Sequence, residues 1–186
     1  MIRNTYLLVL LFIVCFCSGY AQQYSIAFKG LSIVAPKTDI GNQPYCELKE
    51  SAANAVAIIP FGFSRAGSNQ VNYNYSDWQW WGETLKGAEQ SIIYAHEEGL
   101  KVMLKPQIYI PGSWPGALDL PEEDWLKWEQ SYRKFILDFA AIAERQNVDL
   151  FCIGTELDIS AVERPTFWNE LIMDIRKRYF GKLCYA

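Results

Sequence analysis

Strand and helix signals alternate along this sequence with no hairpin turn between them, long polar loops follow the strands, and tight turns lead into the next strand. Alternation without hairpins is the pattern of a parallel sheet covered by helices. Long loops confined to the strand C-terminal side fit a (β/α)₈ barrel, where such loops build the binding face. The predicted fold class is therefore α/β, a (β/α)₈ TIM barrel. A complete barrel takes about 250 residues. The 186 residues here carry four β/α units and a fifth strand, so they are expected to form its N-terminal half.

Residues 1–21 read as a signal peptide, with Arg3 as a positive n-region, an apolar run from Tyr6 to Cys17, and Gly19-Tyr20-Ala21 before a cleavage point at Gln22. The run is short for a membrane span, and Cys15 and Cys17 lack the small residues that a lipidation site wants before them. Residues 22–186 are then the catalytic-domain portion of an exported protein, periplasmic or secreted.

Within it, Ser25 to Ala35 reads as the first strand and Glu47 to Ala53 as a short helix. The apolar run from Ala55 to Phe61 is a second buried strand, closed by Pro60 and Gly62. A polar, Asn- and Gly-rich loop runs from Ser64 to Asp77. Glu83 to Glu98 has Leu85, Ala88, Ile92 and Ala95 at helical spacing, with Gly99 as its stop. Lys101 to Pro106 is the third strand, followed by a loop from Gln107 to Leu120. Glu122 to Gln146 is the clearest helix, with Trp125, Trp128, Tyr132, Phe135, Ile136 and Phe139 on one stripe. Asp149 to Gly154 is the fourth strand, Thr166 to Tyr179 an amphipathic helix, and Lys182 to Ala186 a fifth strand.

The chemistry is expected at the end of the fourth strand. Leu150 to Ile153 is an unbroken apolar run, the mark of a strand buried on both faces. Gly154-Thr155-Glu156 follows where that strand surfaces, the end at which parallel barrels carry their catalytic groups. Glu156 beside Cys152, Ile153 and Leu157 is a candidate general acid, since partial desolvation favours the protonated carboxyl. The alternative is a strand-end carboxylate paired to a neighbouring cation.

Composition narrows the other classes. Arg3 is the one charged residue of the signal segment, so 16 basic and 21 acidic residues remain, a net charge of about −5. An acidic chain without a basic cluster argues against nucleic acid or an anionic membrane as partner. His96 is the sole histidine and falls mid-helix, which leaves no histidine-rich metal site and no Ser-His-Asp triad. No cofactor or metal is implied. Cys46, Cys152 and Cys184 have no CxxC spacing, and Cys152 and Cys184 are expected as buried free thiols.

Gly99 to Pro106, Trp125 to Tyr132 and Cys152-Ile153-Gly154-Thr155-Glu156-Leu157 resemble the barrel glycosidases of glycoside hydrolase family 113, a family of retaining (β/α)₈ enzymes. Trp81-Gly82-Glu83-Thr84, Trp168 to Ile172 and Gly181 to Ala186 fit in the same order, so the resemblance covers about residues 26 to 186. It implies hydrolysis of a β-1,4-mannan-type polysaccharide, with Glu156 as acid/base. The family's nucleophile is a second Glu at the end of strand seven, a strand absent from this sequence. The segment is expected to be inactive alone and, with the edges of its first and fifth strands unpaired, prone to aggregate. Gln107 stands where relatives commonly have His.

Further candidates surround Glu156. Trp114, Trp81, Trp78 and Trp80 lie in or beside the loops after the strands, where aromatic planes suit the C–H faces of sugars; packing under the loops is the alternative. Lys105 and Gln107 sit at the end of strand three, and Thr155 is placed to orient Glu156 or meet a sugar hydroxyl. Lys105 has a barrel-mouth ion pair as its alternative role. Glu83 is expected in a first helical turn, where its charge favours the dipole. Two rival functions remain: a non-catalytic saccharide-binding barrel, and a related glycosidase acting on another β-glycan.

Overall fold

A computed structural model describes residues 28–75 and 77–186. The signal segment and the start of the first expected strand lie outside the described residues. Among the described residues there are seven strands: β1 (Gly30–Ile33), β2 (Ala55–Ile58), β3 (Phe61–Phe63), β4 (Lys101–Leu104), β5 (Gln107–Tyr109), β6 (Leu150–Cys152) and β7 (Lys182–Cys184). Five of them form one parallel sheet in the order β1-β2-β4-β6-β7. The helices α1 (Gln43–Glu50), α2 (Leu85–Glu97), α3 (Glu122–Arg145), α4 (Asp158–Glu163) and α5 (Pro165–Arg176) are carried by the connections. Neighbours in sequence are neighbours in the sheet, the strand order of a barrel.

Two expected strands run further than their prolines suggest. β3 continues β2 beyond Pro60, β5 continues β4 beyond Pro106, and the two continuations pair in parallel as a separate two-stranded sheet. The registers Ile58 with Leu104 and Phe61 with Gln107 place the two prolines opposite one another. A proline has no N–H to give, but each segment still closes its ladder: the Lys105 N–H donates to the Ile58 carbonyl at 2.9 Å and the Gln107 N–H to the Pro60 carbonyl at 3.0 Å. The Gln107 to Leu120 stretch therefore begins as a strand rather than as a loop. The Ser64 to Asp77 loop folds back on β3 through a bridge between Phe63 and Asn72.

Other boundaries move for local reasons. α1 starts earlier than expected, with Pro44 in its first turn, and ends at Glu50 before Ala52, which takes φ 62°. The Glu83 helix is split: Trp81–Glu83 forms a 3₁₀ turn, and Thr84 then caps α2 by accepting the Gly87 N–H at 3.1 Å. α4 was not expected from the sequence at all.

The core lies between the sheet and α3. Trp125, Trp128, Tyr132, Phe135 and Phe139 are buried along one face of α3, and Phe167, Trp168 and Leu171 of α5 pack on the same layer. Trp128 stacks on Tyr132 with ring centroids 4.8 Å apart. The buried Tyr132 hydroxyl donates to the Ile153 carbonyl at 2.9 Å, and the Tyr179 hydroxyl to the Val148 carbonyl at 2.7 Å. β6 is thereby tied at both ends to the helical layer, which fixes the strand that delivers Glu156. His96 is half-exposed on α2, 3.9 Å from Asp149. No helix among the described residues is long and apolar enough to cross a membrane.

Candidate active site

Glu156 stands just beyond β6 on the face where all the parallel strands end. Its backbone takes φ 53°, the left-handed region that non-glycine residues enter at a cost of about 1–2 kcal/mol. The conformation is held from both sides. The Glu156 N–H donates to the Ala186 carbonyl at 2.9 Å, and the Leu157 N–H donates to the Tyr185 hydroxyl at 2.8 Å. Such strain persists where the surroundings over-determine it, and it concentrates at functional sites. Gly154 is required two residues earlier, because a Cβ there would come within 2.6 Å of the Trp168 ring and 2.7 Å of the Tyr185 ring.

The Glu156 side chain is exposed and its partner is an indole. Trp114 Nε1 donates to Glu156 Oε2 at 2.9 Å. The apolar wall expected beside this carboxyl is formed under it by Cys152, Ile153 and Leu157, which are buried, and does not enclose it. Trp114 is itself half-exposed, and its ring lies so close over Gly116 that a Cβ there would meet it at 2.4 Å. The 3₁₀ turn Pro115–Ala117 thus fixes the ring from below and aims the N–H at the carboxylate. An indole N–H can only donate, so Oε2 is the acceptor of this contact.

The other sequence candidates divide. Thr155 is buried, with its hydroxyl 3.7 Å from the Cys152 sulfur, so it packs beneath Glu156. Lys105 follows β4 and, among the described residues, makes no ion pair; the barrel-mouth salt bridge is not present there. Its amine is near Cys184, whose thiol burial and the neighbouring Cys152 push up to about 11 while Lys105 pulls it down. Cys184 is half-buried rather than fully enclosed, opposite buried Cys152 in register. Gln107 lies on β5, half-buried. Trp81 belongs to the 3₁₀ turn pinned to the loop after β1, through its N–H to the Lys37 carbonyl at 3.1 Å, and is not among the contacts of Glu156. Trp125, Trp128 and Trp168 are core, as their helical spacing indicates.

Glu83 falls in the 3₁₀ turn ahead of α2 rather than in the first turn of the α-helix itself. It is buried, its Oε2 accepts the Trp80 N–H at 3.2 Å, and burial raises its carboxyl above the ordinary value. The residues that sequence reasoning missed are Tyr185 and Tyr75. Tyr185 lies within the fifth strand read from the sequence, and Tyr75 is an aromatic within a loop already singled out, so both left a trace. Among the described residues no group of three or more His, Cys, Asp or Glu side chains is arranged to hold a metal ion.

Solved structures share this fold. The GH113 β-mannanase AaManA from Alicyclobacillus acidocaldarius, in complex with ManMIm, superposes with a TM-score of 0.74 at 25% identity, over 85% of this chain and 53% of its own. A GH113 β-1,4-mannanase solved as a complex gives 0.73 at 25% identity, over 85% and 54%. Thermotoga maritima Cel5A in complex with mannotriose shares the fold at a TM-score of 0.55 and 15% identity, over 87% of this chain and 52% of its own. The chain spans about half the length of these structures. Among curated proteins, no sequence relative matches. The model of Glycoside Hydrolase Family 113 matches residues 37–186, from the loop after β1 through Glu156 to the last residue of the sequence. That span takes in four of the five described sheet strands, all but β1, and the chain belongs to glycoside hydrolase family 113.

Proposed function

We propose that the complete protein is an exported retaining β-1,4-mannanase in which Glu156 is the acid/base. The observation that carries the reading is the Trp114–Glu156 contact: a strained, exposed carboxylate at a barrel-strand end, oriented by a donor from the neighbouring strand's loop. In a double displacement Glu156 protonates the departing glycosidic oxygen while a second carboxylate, about 5–5.5 Å away, attacks the anomeric carbon. Glu156 then takes a proton from the water that releases the glycosyl group. The partner carboxylate belongs outside the five barrel strands described, so these residues alone are proposed to be inactive. Lys105, Gln107 and Trp114 are proposed to contact the sugar, with Thr155 supporting Glu156 from below. Trp81, set away from Glu156, is proposed to meet the chain further along the face.

The test is the anomer first released. The complete protein, incubated with β-1,4-mannan and followed by proton NMR, is expected to produce β-configured reducing ends before mutarotation. Initial release of the α anomer, or no hydrolysis, overturns the reading.

A further inference from the structure

A cleft of about 640 Å³ opens beside the end of β3, away from Glu156. That volume is within the range of small-ligand sites, roughly 300–1,000 Å³. Its apolar wall is an aromatic cluster: Trp78 stacks on Tyr75 with centroids 5.6 Å apart, and meets Phe63 edge-on at 4.8 Å. Trp78 and Tyr75 are both about half-exposed. Asn72, Gln70 and Arg65 also line it, and among the described residues no carboxylate does. The lining therefore suits binding rather than acid/base chemistry.

A second observation points to a ligand. Ser64 lines this cleft, is 1% exposed, and its hydroxyl has no hydrogen-bond partner among the described residues. A buried hydroxyl without a partner costs free energy that native structures seldom leave uncompensated. Its backbone N–H is engaged, donating to the Tyr109 carbonyl at 3.1 Å, while the hydroxyl is idle. Arg65 makes no ion pair among the described residues either, which leaves its fork of donors available.

One loop links the cleft to the active site. Pro111 lines it, and Trp114, three residues on, donates to Glu156. Three residues span at most about 11 Å even when fully extended, so one oligosaccharide chain lying along the strand ends can reach both places. Resting on the proposed mannanase reading, we propose that this cleft is a distal saccharide subsite. It holds one hexopyranose unit of the same glycan, remote from the bond that is cleaved. The C–H face of that unit lies against Trp78 and Tyr75, the Ser64 hydroxyl completes its hydrogen bonds on a sugar hydroxyl, and Asn72 and Arg65 take the outward-facing oxygens.

The experiment compares chain lengths. In the complete protein carrying Glu156→Gln to suppress turnover, calorimetric affinities for mannohexaose and mannotriose are measured with and without Trp78→Ala or Ser64→Ala. The parent is expected to bind the hexaose more tightly than the triose. Each substitution is expected to lower that ratio, by about tenfold for Trp78→Ala. Ser64→Ala removes no hydrogen bond of the free protein, so its melting temperature is expected to hold, which separates lost binding from lost folding. If the protein with intact Glu156 cleaves mannan but both substitutions leave the ratio unchanged, or the parent shows no preference for the hexaose, the subsite is overturned and the mannanase reading stands. If it neither cleaves nor binds mannan, both fall together.

Discussion

The indole nitrogen of Trp114 lies 2.9 Å from Oε2 of Glu156, across 42 residues of sequence. One partner comes from the loop after β5 and the other from the end of β6, so the contact joins two adjacent barrel units at the point where chemistry is proposed. Trp114→Phe keeps the ring over Gly116 and removes the donor. A hydrogen bond to a charged group contributes about 1.5–3 kcal/mol. The complete variant is expected to lose roughly ten- to a hundredfold in kcat/KM on soluble mannan, with its melting temperature nearly unchanged. Unaltered kinetics would show that the carboxyl needs no orientation from the indole.

Glu156→Gln goes further. The amide keeps an oxygen to accept the Trp114 N–H, so the local geometry survives, but it cannot give a proton. General acid/base assistance contributes about 10²–10⁴-fold, and hydrolysis of natural mannan is expected to fall by at least that much while calorimetric binding is retained. Aryl mannosides with acidic leaving groups need little protonation, so formation of their glycosyl–enzyme should be far less impaired. Equal loss on both substrates would point to a role other than proton donor.

Much of this arrangement can be read from the chain because it rests on local chemistry. Leu150 to Ile153 reads as a buried strand, found as β6, and Gly99 marks the end of α2 with a positive φ. Less visible were features set by partners distant in sequence. Pro60 and Pro106 read as strand ends, yet each sits opposite the other, and the ladder closes around them. The left-handed backbone of Glu156 carries no glycine to announce it; it is held by Ala186 and Tyr185, which follow β7. Glu83 looks like any acidic helix start until Gln79, which donates to the Phe61 and Glu83 carbonyls, closes the turn over it.

Gly154→Ala tests how tightly the strand end is built. A methyl group would meet Trp168 Cη2 at 2.6 Å and Tyr185 Cε2 at 2.7 Å, and both are ring atoms. Trp168 is buried, with its indole N–H donating to the Ser160 hydroxyl at 3.2 Å, and Tyr185 accepts the Leu157 N–H. Neither ring can yield without moving Glu156 or α4. Overpacking of this kind costs about 1–3 kcal/mol. The complete variant is expected to unfold at lower denaturant concentration and to lose activity beyond what the stability change explains. A variant as stable and active as the parent would mean that the strand end adjusts freely.

Glu83 supplies a pH dependence with a definite sign. Burial raises its carboxyl above the ordinary 4.5, opposed by the Trp80 N–H. A raised folded-state value means that the fold favours the protonated form. Its contribution is fully present below pH 4.5 and is lost as the pH climbs through the raised value. Glu83→Gln is neutral throughout and keeps an oxygen for the Trp80 N–H. Below the carboxyl's ordinary value the complete parent and variant should melt alike. At about pH 7 the variant should melt at the higher temperature, because the parent must then hold a charge in a buried turn. Melting curves between these limits check the point. A difference that stays constant with pH would mean that Glu83 acts through packing, not through its charge.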